Sequence, residues 1–252
     1  MPYNFLFDLD QTLLDFHASE KKALEIISAK YGLDFSEDAY NHFKAYNKSL
    51  WLELEKCSIS RQELFRKRFS DFLAMSGGER AKLDPLALNS EFIATMAQNG
   101  VPMDGALEFL QRLTDTMHGC RIYIITNGAT VNATGRIKST GMDALIHGVF
   151  GSESMGVSKP SEAFFDYVLR AIGEPKKTCI VIGDSLTSDM AGAQNASISS
   201  VWFTPDDEAG VAQAQKNATI RSIMAQYDID YCAQTFDELY DVLADWTKDA
   251  KK

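Results

Sequence analysis

Four short runs carry acidic, hydroxyl, amide and ammonium side chains able to do chemistry. They are Asp8-Leu9-Asp10-Gln11-Thr12, Thr126-Asn127-Gly128, Gly156-Val157-Ser158-Lys159-Pro160, and Gly183-Asp184-Ser185 with Asp189 five residues after Asp184. Asp8 and Asp10 are separated by one residue, so they would share a face if the strand continued. Their mutual repulsion would raise one pKa unless a cation offset it. Asp184 and Asp189 add carboxylates, making an all-oxygen donor set of the hard kind that Mg²⁺ takes, with water and phosphate oxygens filling the remaining positions. Four carboxylates and Lys159 therefore match a site for a dianionic phosphate plus Mg²⁺. Taken singly, each run has an ordinary reading. The D-x-D could be an acidic strand-to-loop turn, Thr126-Asn127-Gly128 a turn at a strand end, Lys159 a solvated lysine, and Asp184 a helix cap. Their joint occurrence in this order, each ending an apolar run or preceding a helix, argues for one site.

The elements that must position these runs are legible from hydropathy. Apolar stretches rich in Ile, Val, Tyr and Phe at Tyr3–Phe7, Arg121–Ile125, His147–Phe150, Cys179–Ile182 and Ser199–Phe203 predict buried strands. Between the later ones, Asp104–Thr116 and Ser161–Ile172 repeat apolar residues at helical spacing, the second after the cap candidate Ser161 and before Gly173. Phe236 to Trp246 closes the chain as an amphipathic helix. Strands alternating with helices predict an α/β fold, a doubly wound parallel sheet with right-handed crossovers. The gap from Asp8 to Arg121 far exceeds an ordinary crossover and contains only helical patterns. These are Ser19–Tyr31, Ser36–Leu54, Ser60–Leu73 opened by the capping box Ser60-x-x-Glu63, and a helix from Asp84-Pro85 to Gly100. A helical-bundle domain at 15–103 is thus inserted into a core made of 1–14 and 104–252. In open parallel sheets ligands bind beyond the carboxyl ends of the strands, where all four runs fall.

Composition narrows the function classes. The 252 residues carry 25 Lys and Arg against 35 Asp and Glu, a formal charge of −10, which repels nucleic-acid backbones and anionic membrane surfaces. No apolar run reaches the eighteen or so residues of a membrane helix, and MPYNFLFDLD lacks the basic start of a signal peptide. The four cysteines, Cys57, Cys120, Cys179 and Cys232, form no C-x-x-C pair and read as buried reduced thiols. The expectation is a cytoplasmic protein, monomer or homodimer, whose partner is a small phosphorylated metabolite.

With these residues in view, the chain resembles the haloacid dehalogenase-like hydrolases. The family's four ordered motifs are D-x-D-x-T, a Thr or Ser at the second strand end, a Lys, and G-D-x-x-x-x-D, and all four are present. The Rossmann-like core and the insertion after the first motif resemble the family's core and its first type of cap. The resemblance implies that Asp8 is a nucleophile forming an aspartyl-phosphate, and that Asp10 protonates the leaving oxygen and then activates water. Thr126 with the Asn127 amide would hold phosphoryl oxygens, and Lys159 would neutralise charge. Mg²⁺ would be held by Asp8, the Asp10 carbonyl and Asp184, with Asp189 just behind. Gln11 stands where the commonest members have Gly, which points away from phosphoglycolate and sugar-phosphate branches. In the pyrimidine 5′-nucleotidase branch polar residues at this place are familiar, as are Asn47-Lys48-Ser49-Leu50-Trp51 and Gly156-Val157-Ser158-Lys159-Pro160.

That branch makes a nucleoside monophosphate the expected substrate, with Phe43, Tyr46 and Trp51 offering faces for a base and Asn47 a hydrogen-bonding edge. The same aromatics could instead pack the cap helices of a generalist phosphatase of sugar phosphates or phosphoglycolate. Dehalogenation is disfavoured because that branch lacks the second aspartate. A receiver-type phospho-acceptor carries its acceptor on the third strand of a domain about half this size, and a silent scaffold would have lost Asp8 or Asp10.

Overall fold

The computed structural model describes residues 2–56, 58–77, 82–205 and 213–249. The chain separates into two compact units, Met1–Asp15 with Pro102–Lys252, and Phe16–Val101. The first strand, β1 (Tyr3–Phe7), is buried throughout and leads through the Asp8–Asp15 loop into the helical unit.

The helical unit contains α1 (Phe16–Tyr31), α2 (Glu37–Glu55), α3 (Arg61–Met75) and α4 (Pro85–Ala97). Their starts follow capping chemistry. Ser36 Oγ accepts from Ala39 N at 3.2 Å, Asp84 Oδ2 from Ala87 N at 2.9 Å, and Ser60 and Glu63 form a reciprocal box. Phe43 packs against Phe69, Phe72 and Phe92 with ring centroids 5.5–6.1 Å apart, the centre of this unit's core. Beside it runs a buried polar chain. Asn47 Nδ2 donates to Glu20 Oε1 at 2.8 Å, and Arg68 donates to Asn47 Oδ1 at 3.3 Å and to Asn89 Oδ1 at 2.6 and 2.9 Å. Burial pulls the Arg68 guanidinium down to about 10 against the opposing pull of Glu20.

The α/β unit continues with α5 (Ala106–Thr116), β2 (Cys120–Thr126), α6 (Thr130–Thr140), β3 (Gly148–Gly151), α7 (Ser152–Met155), α8 (Glu162–Ile172), β4 (Cys179–Gly183), α9 (Ala191–Ala196), β5 (Ser199–Phe203), α10 (Gln213–Tyr227), β6 (Tyr231–Ala233) and α11 (Phe236–Asp249). All strands pair in parallel in the order β3-β2-β1-β4-β5-β6. Side-chain alternation divides the core into two layers. Phe5, Phe7, Ile122, Ile124, Ile180 and Ile182 meet α5, α6 and α11 on one face, while Leu6, Ile125 and Val181 meet α8 and α9 on the other. The sheet has one strand more than hydropathy predicts, β6, a half-buried three-residue strand pairing only with β5. Helix α6 likewise carries no hydropathy signal of its own. Gly135 and the β-branched Thr130, Val131, Thr134 and Ile137 give it poor intrinsic propensity, and it forms by packing Ala133 and Ile137 on the sheet. Among the described residues Cys120, Cys179 and Cys232 are free, and Cys57 lies outside them. No described helix is long and apolar enough to cross a membrane.

Candidate active site

Strand register fixes where the chemistry-bearing residues leave the sheet. Phe7 lies opposite Ile124 on one side and Ile182 on the other, so Asp8, Thr126 and Asp184 emerge at one carboxyl edge. The chain runs outward from β1 in both directions, through β2 and β3 and then through β4, β5 and β6. The crevice at β1 and β4 is therefore the switch point of the fold. The Asp8 amide donates to Ile182 O at 2.8 Å, tying the first motif to β4.

At this edge Lys159 is buried, 3% exposed, and its Nζ makes three contacts. It donates to Asp8 Oδ1 and to Asp189 Oδ1 at 2.6 Å each, and to Ile125 O at 3.0 Å. Asn127 holds the lysine's main chain from both sides, with Lys159 N donating to Asn127 Oδ1 at 2.9 Å and Asn127 Nδ2 donating to Lys159 O at 3.0 Å. Thr126 is buried, and its Oγ1 accepts from Gly128 N at 3.0 Å, closing the turn after β2. Asp189 is fully buried against Gly183, and its Oδ2 accepts from Ser185 N at 3.1 Å. The next helical turn, Leu186–Met190, is capped by Ser185 rather than Asp184. Trp202 Nε1 donates to Asp184 O at 2.9 Å, which fixes the backbone from which the Asp184 carboxyl projects.

Carboxylate oxygens of Asp8, Asp184 and Asp189 all lie within 4.8 Å of one another. Three acids gathered around one ammonium carry surplus negative charge in a poorly hydrated place, and the protonation equilibria register it. Burial pushes Asp8 well above the usual carboxylate range, with Asp189, Asp184 and Asp10 adding to it and Lys159 opposing. Burial and then Asp189 push Asp184 up to about 7. For Lys159, burial alone would favour the neutral amine, but Asp189 and Asp8 outweigh it and hold the ammonium charged. A hard divalent cation suits this all-oxygen set and its excess charge, so these residues fit Mg²⁺.

Asp10 stands apart from that cluster. Both its carboxylate oxygens are engaged by Arg136, Nη1 to Oδ1 and Nη2 to Oδ2 at 3.1 Å, and the arginine is 2% exposed. Sequence reasoning missed Arg136 because it lies on α6. Gln11, next to Asp10, has φ of 60°. This is the left-handed conformation in which glycine has no steric cost, the physical ground for the glycine common at that place.

In the helical unit the expected substrate contacts are placed differently. Asn47 is buried, with its amide oxygen taken by Arg68 and its NH₂ by Glu20, so it presents no edge to a base. Phe43 is likewise sealed in the aromatic core. Trp51 is half-buried, with the Arg61 guanidinium 5.9 Å above its ring, and Tyr46 is half-buried and stacked on His42.

A family model described as haloacid dehalogenase-like hydrolase matches residues 4–197. The chain is a haloacid dehalogenase-like hydrolase. It is 35% identical to pyrimidine 5′-nucleotidase PynA of Streptococcus pneumoniae over 88% of its length and 92% of that protein's. It is 31% identical to pyrimidine 5′-nucleotidase YjjG of Escherichia coli over 78% of its length and 84% of that protein's. The magnesium-bound crystal structure of the HAD-hydrolase YfnB from Bacillus subtilis superposes with a TM-score of 0.79 at 28% identity, covering 96% of this chain and 98% of that one. The L-2-haloacid dehalogenase of Xanthobacter autotrophicus shares the fold, with a TM-score of 0.67 at 16% identity over 97% and 99% of the two chains. This hydrolase thus carries its four motif segments on one sheet edge of a family fold.

Proposed function

We propose that this hydrolase is a Mg²⁺-dependent phosphomonoesterase working through an aspartyl-phosphate on Asp8, with pyrimidine nucleoside monophosphates as substrates. The observation that carries the chemistry is the Asp8–Lys159–Asp189 triad at the switch point, with a second carboxyl, Asp10, two residues from the first. A carboxylate oxygen of Asp8 attacks phosphorus in line as the bond to the ester oxygen breaks. Asp10 delivers a proton to that oxygen, then takes one from the water that hydrolyses the acyl phosphate. The second aspartate argues for this chemistry over dehalogenation. Lys159 stays charged between two acids and offsets the phosphoryl charge, and Asn127 keeps its backbone in place. Asp8, Asp184 and the Asp10 carbonyl would hold Mg²⁺, with Asp189 behind them; bound there, the metal supplies charge neutralisation and orientation of the phosphoryl group.

The substrate class is supported by two relatives named pyrimidine 5′-nucleotidases that align over most of their lengths. Since the α/β unit recognises only the phosphate, discrimination among leaving groups falls to the helical unit, Phe16–Val101, acting as a cap. There the half-buried Trp51 and Tyr46 are the aromatic rings on which a base could stack. The test is kcat/KM for UMP, dUMP and dTMP against phosphoglycolate and hexose phosphates, with and without Mg²⁺. Nucleotides should lead and the metal should be required; a lead for the sugar phosphates would overturn the substrate, and full turnover in a chelator would overturn the metal.

A further inference from the structure

We propose that Arg136 is a positioning residue of the reaction, fixing the plane and place of the Asp10 carboxyl. The inference rests on the reading of Asp10 as proton carrier and goes beyond it in assigning what holds that carrier. Asp10 follows β1 on a tightly tied loop. Gln11 N donates to Leu14 O at 2.8 Å, and Leu13 N and Leu14 N both donate to Leu9 O, at 3.0 and 2.9 Å. The backbone is therefore set, and the remaining freedom of Asp10 is its side-chain rotation, in a carboxyl 31% exposed. Arg136 removes that freedom. It sits on the inward face of α6 with Asn132, Ala133 and Ile137, all buried. Long helical side chains lean toward the helix N-terminus, and the α6 N-terminus lies at the carboxyl end of β2, where Asp10 is. The planar guanidinium grips both carboxylate oxygens at once, fixing orientation as well as distance, which a single ammonium cannot do.

A structural role alone explains the pair poorly. Burying a guanidinium beside Ala133 and Ile137 has a desolvation cost that an apolar side chain of similar length would avoid, so a buried ion pair is weak evidence of stabilisation. A proton carrier, in contrast, must be held within about half an ångström of its productive position, and a misplacement of about 1 Å can cost on the order of 100-fold in rate.

The experiment is Arg136→Met, Arg136→Lys, Asp10→Asn and the double variant Asp10→Asn/Arg136→Met, assayed with Mg²⁺ on UMP, whose alkoxide leaves poorly, and on p-nitrophenyl phosphate, whose phenolate needs little proton donation. Arg136→Met should lower kcat/KM, which reports only the steps through departure of the leaving group, by about 100-fold on UMP and by less than about tenfold on the aryl ester. Arg136→Lys should recover part of the UMP loss. In the Asp10→Asn background Arg136→Met should cost less than about threefold, because the group it positions is already disabled. Equal losses on the two esters, or losses that multiply in the double variant, would overturn the assignment. Where Arg136→Met does not fold, the ester split is read on Arg136→Lys, with the same two outcomes. Asp8→Asn separates the two levels: if it stays active the reading of the whole site is wrong, whereas if it is dead and Arg136→Met loses both esters equally, only the role of Arg136 falls.

Discussion

Gly183→Ala tests whether the packing of Asp189 sets the charge arrangement of the site. A β-carbon at position 183 would lie 2.4 Å from both Cγ and Oδ2 of Asp189 and 2.8 Å from its Cβ, whereas ordinary contact begins near 3.4 Å. Either the Asp189 carboxyl or the end of β4 must therefore retreat by about 1 Å. The carboxyl has no slack, since it is fully buried and bonded to Lys159 Nζ at 2.6 Å and to Ser185 N at 3.1 Å. A retreat of about 1 Å carries the Lys159 contact out of hydrogen-bonding range, leaving the ammonium to Asp8 and Ile125 O alone. Overpacking of this kind destabilises by about 1–3 kcal/mol, which a domain of ordinary stability survives, while misplacing Lys159 should lower kcat on the order of 100-fold. Asp189→Asn should produce a comparable loss, and the two substitutions together should cost less than the product of the separate losses, because both act through one contact. The assay is kcat on p-nitrophenyl phosphate alongside a thermal melt. A folded Gly183→Ala protein with undiminished turnover would refute the reasoning.

Five other outcomes follow from the structure. Asp8→Asn should abolish turnover on every ester, since the amide cannot act as the nucleophile, while Asp10→Asn should lose far more kcat/KM on UMP than on p-nitrophenyl phosphate; equal losses in kcat/KM with Asp10→Asn would contradict its acid role. Asp184 is held near 7 in the folded chain and near the ordinary 3.8 when unfolded, so the folded state binds the extra proton between those values. Metal-free stability should then fall as pH rises from about 4 to 7, by at most about 4 kcal/mol from this group, and Asp8 pulls the same way. Added Mg²⁺ should raise Tm strongly at about pH 8 and little at about pH 5, where protons compete for the carboxylates; an equal shift at both would count against the assigned ligands. Trp51→Ala should reduce kcat/KM on pyrimidine nucleotides by about 1–3 kcal/mol of stacking while leaving phosphoglycolate turnover unchanged; an unchanged nucleotide rate in a folded variant removes Trp51 from the substrate site.

What was legible in the sequence, and what was not, divides along a physical line. The five longer strands are nearly continuous apolar runs because both faces of a parallel sheet are covered, and that signal survives in single-sequence hydropathy. β6 has three residues at the sheet margin, too few to establish a pattern. Asp8, Lys159 and Asp184 could be placed together because each follows a strand or precedes a helix, and parallel pairing sends all such ends to one edge; Asp189 was legible only through its fixed spacing from Asp184. Residues reaching the edge from within a helix leave no such mark. Arg136 lies two turns into α6, whose Gly135 and β-branched residues hide the helix itself, so its approach to Asp10 is a product of tertiary packing. Asn47 shows the converse error. A polar residue one turn from Trp51 reads as a ligand contact on a helix drawn alone, yet the neighbouring helices bring Glu20 and Arg68 to its two ends. A buried amide satisfied on both sides is a structural group, and only the packing of α1, α2 and α3 could reveal that. Burying one arginine and one glutamate through an intervening asparagine, rather than in direct contact, also leaves the Arg68 charge weakly compensated. This is why burial dominates its lowered pKa and Glu20 only tempers it.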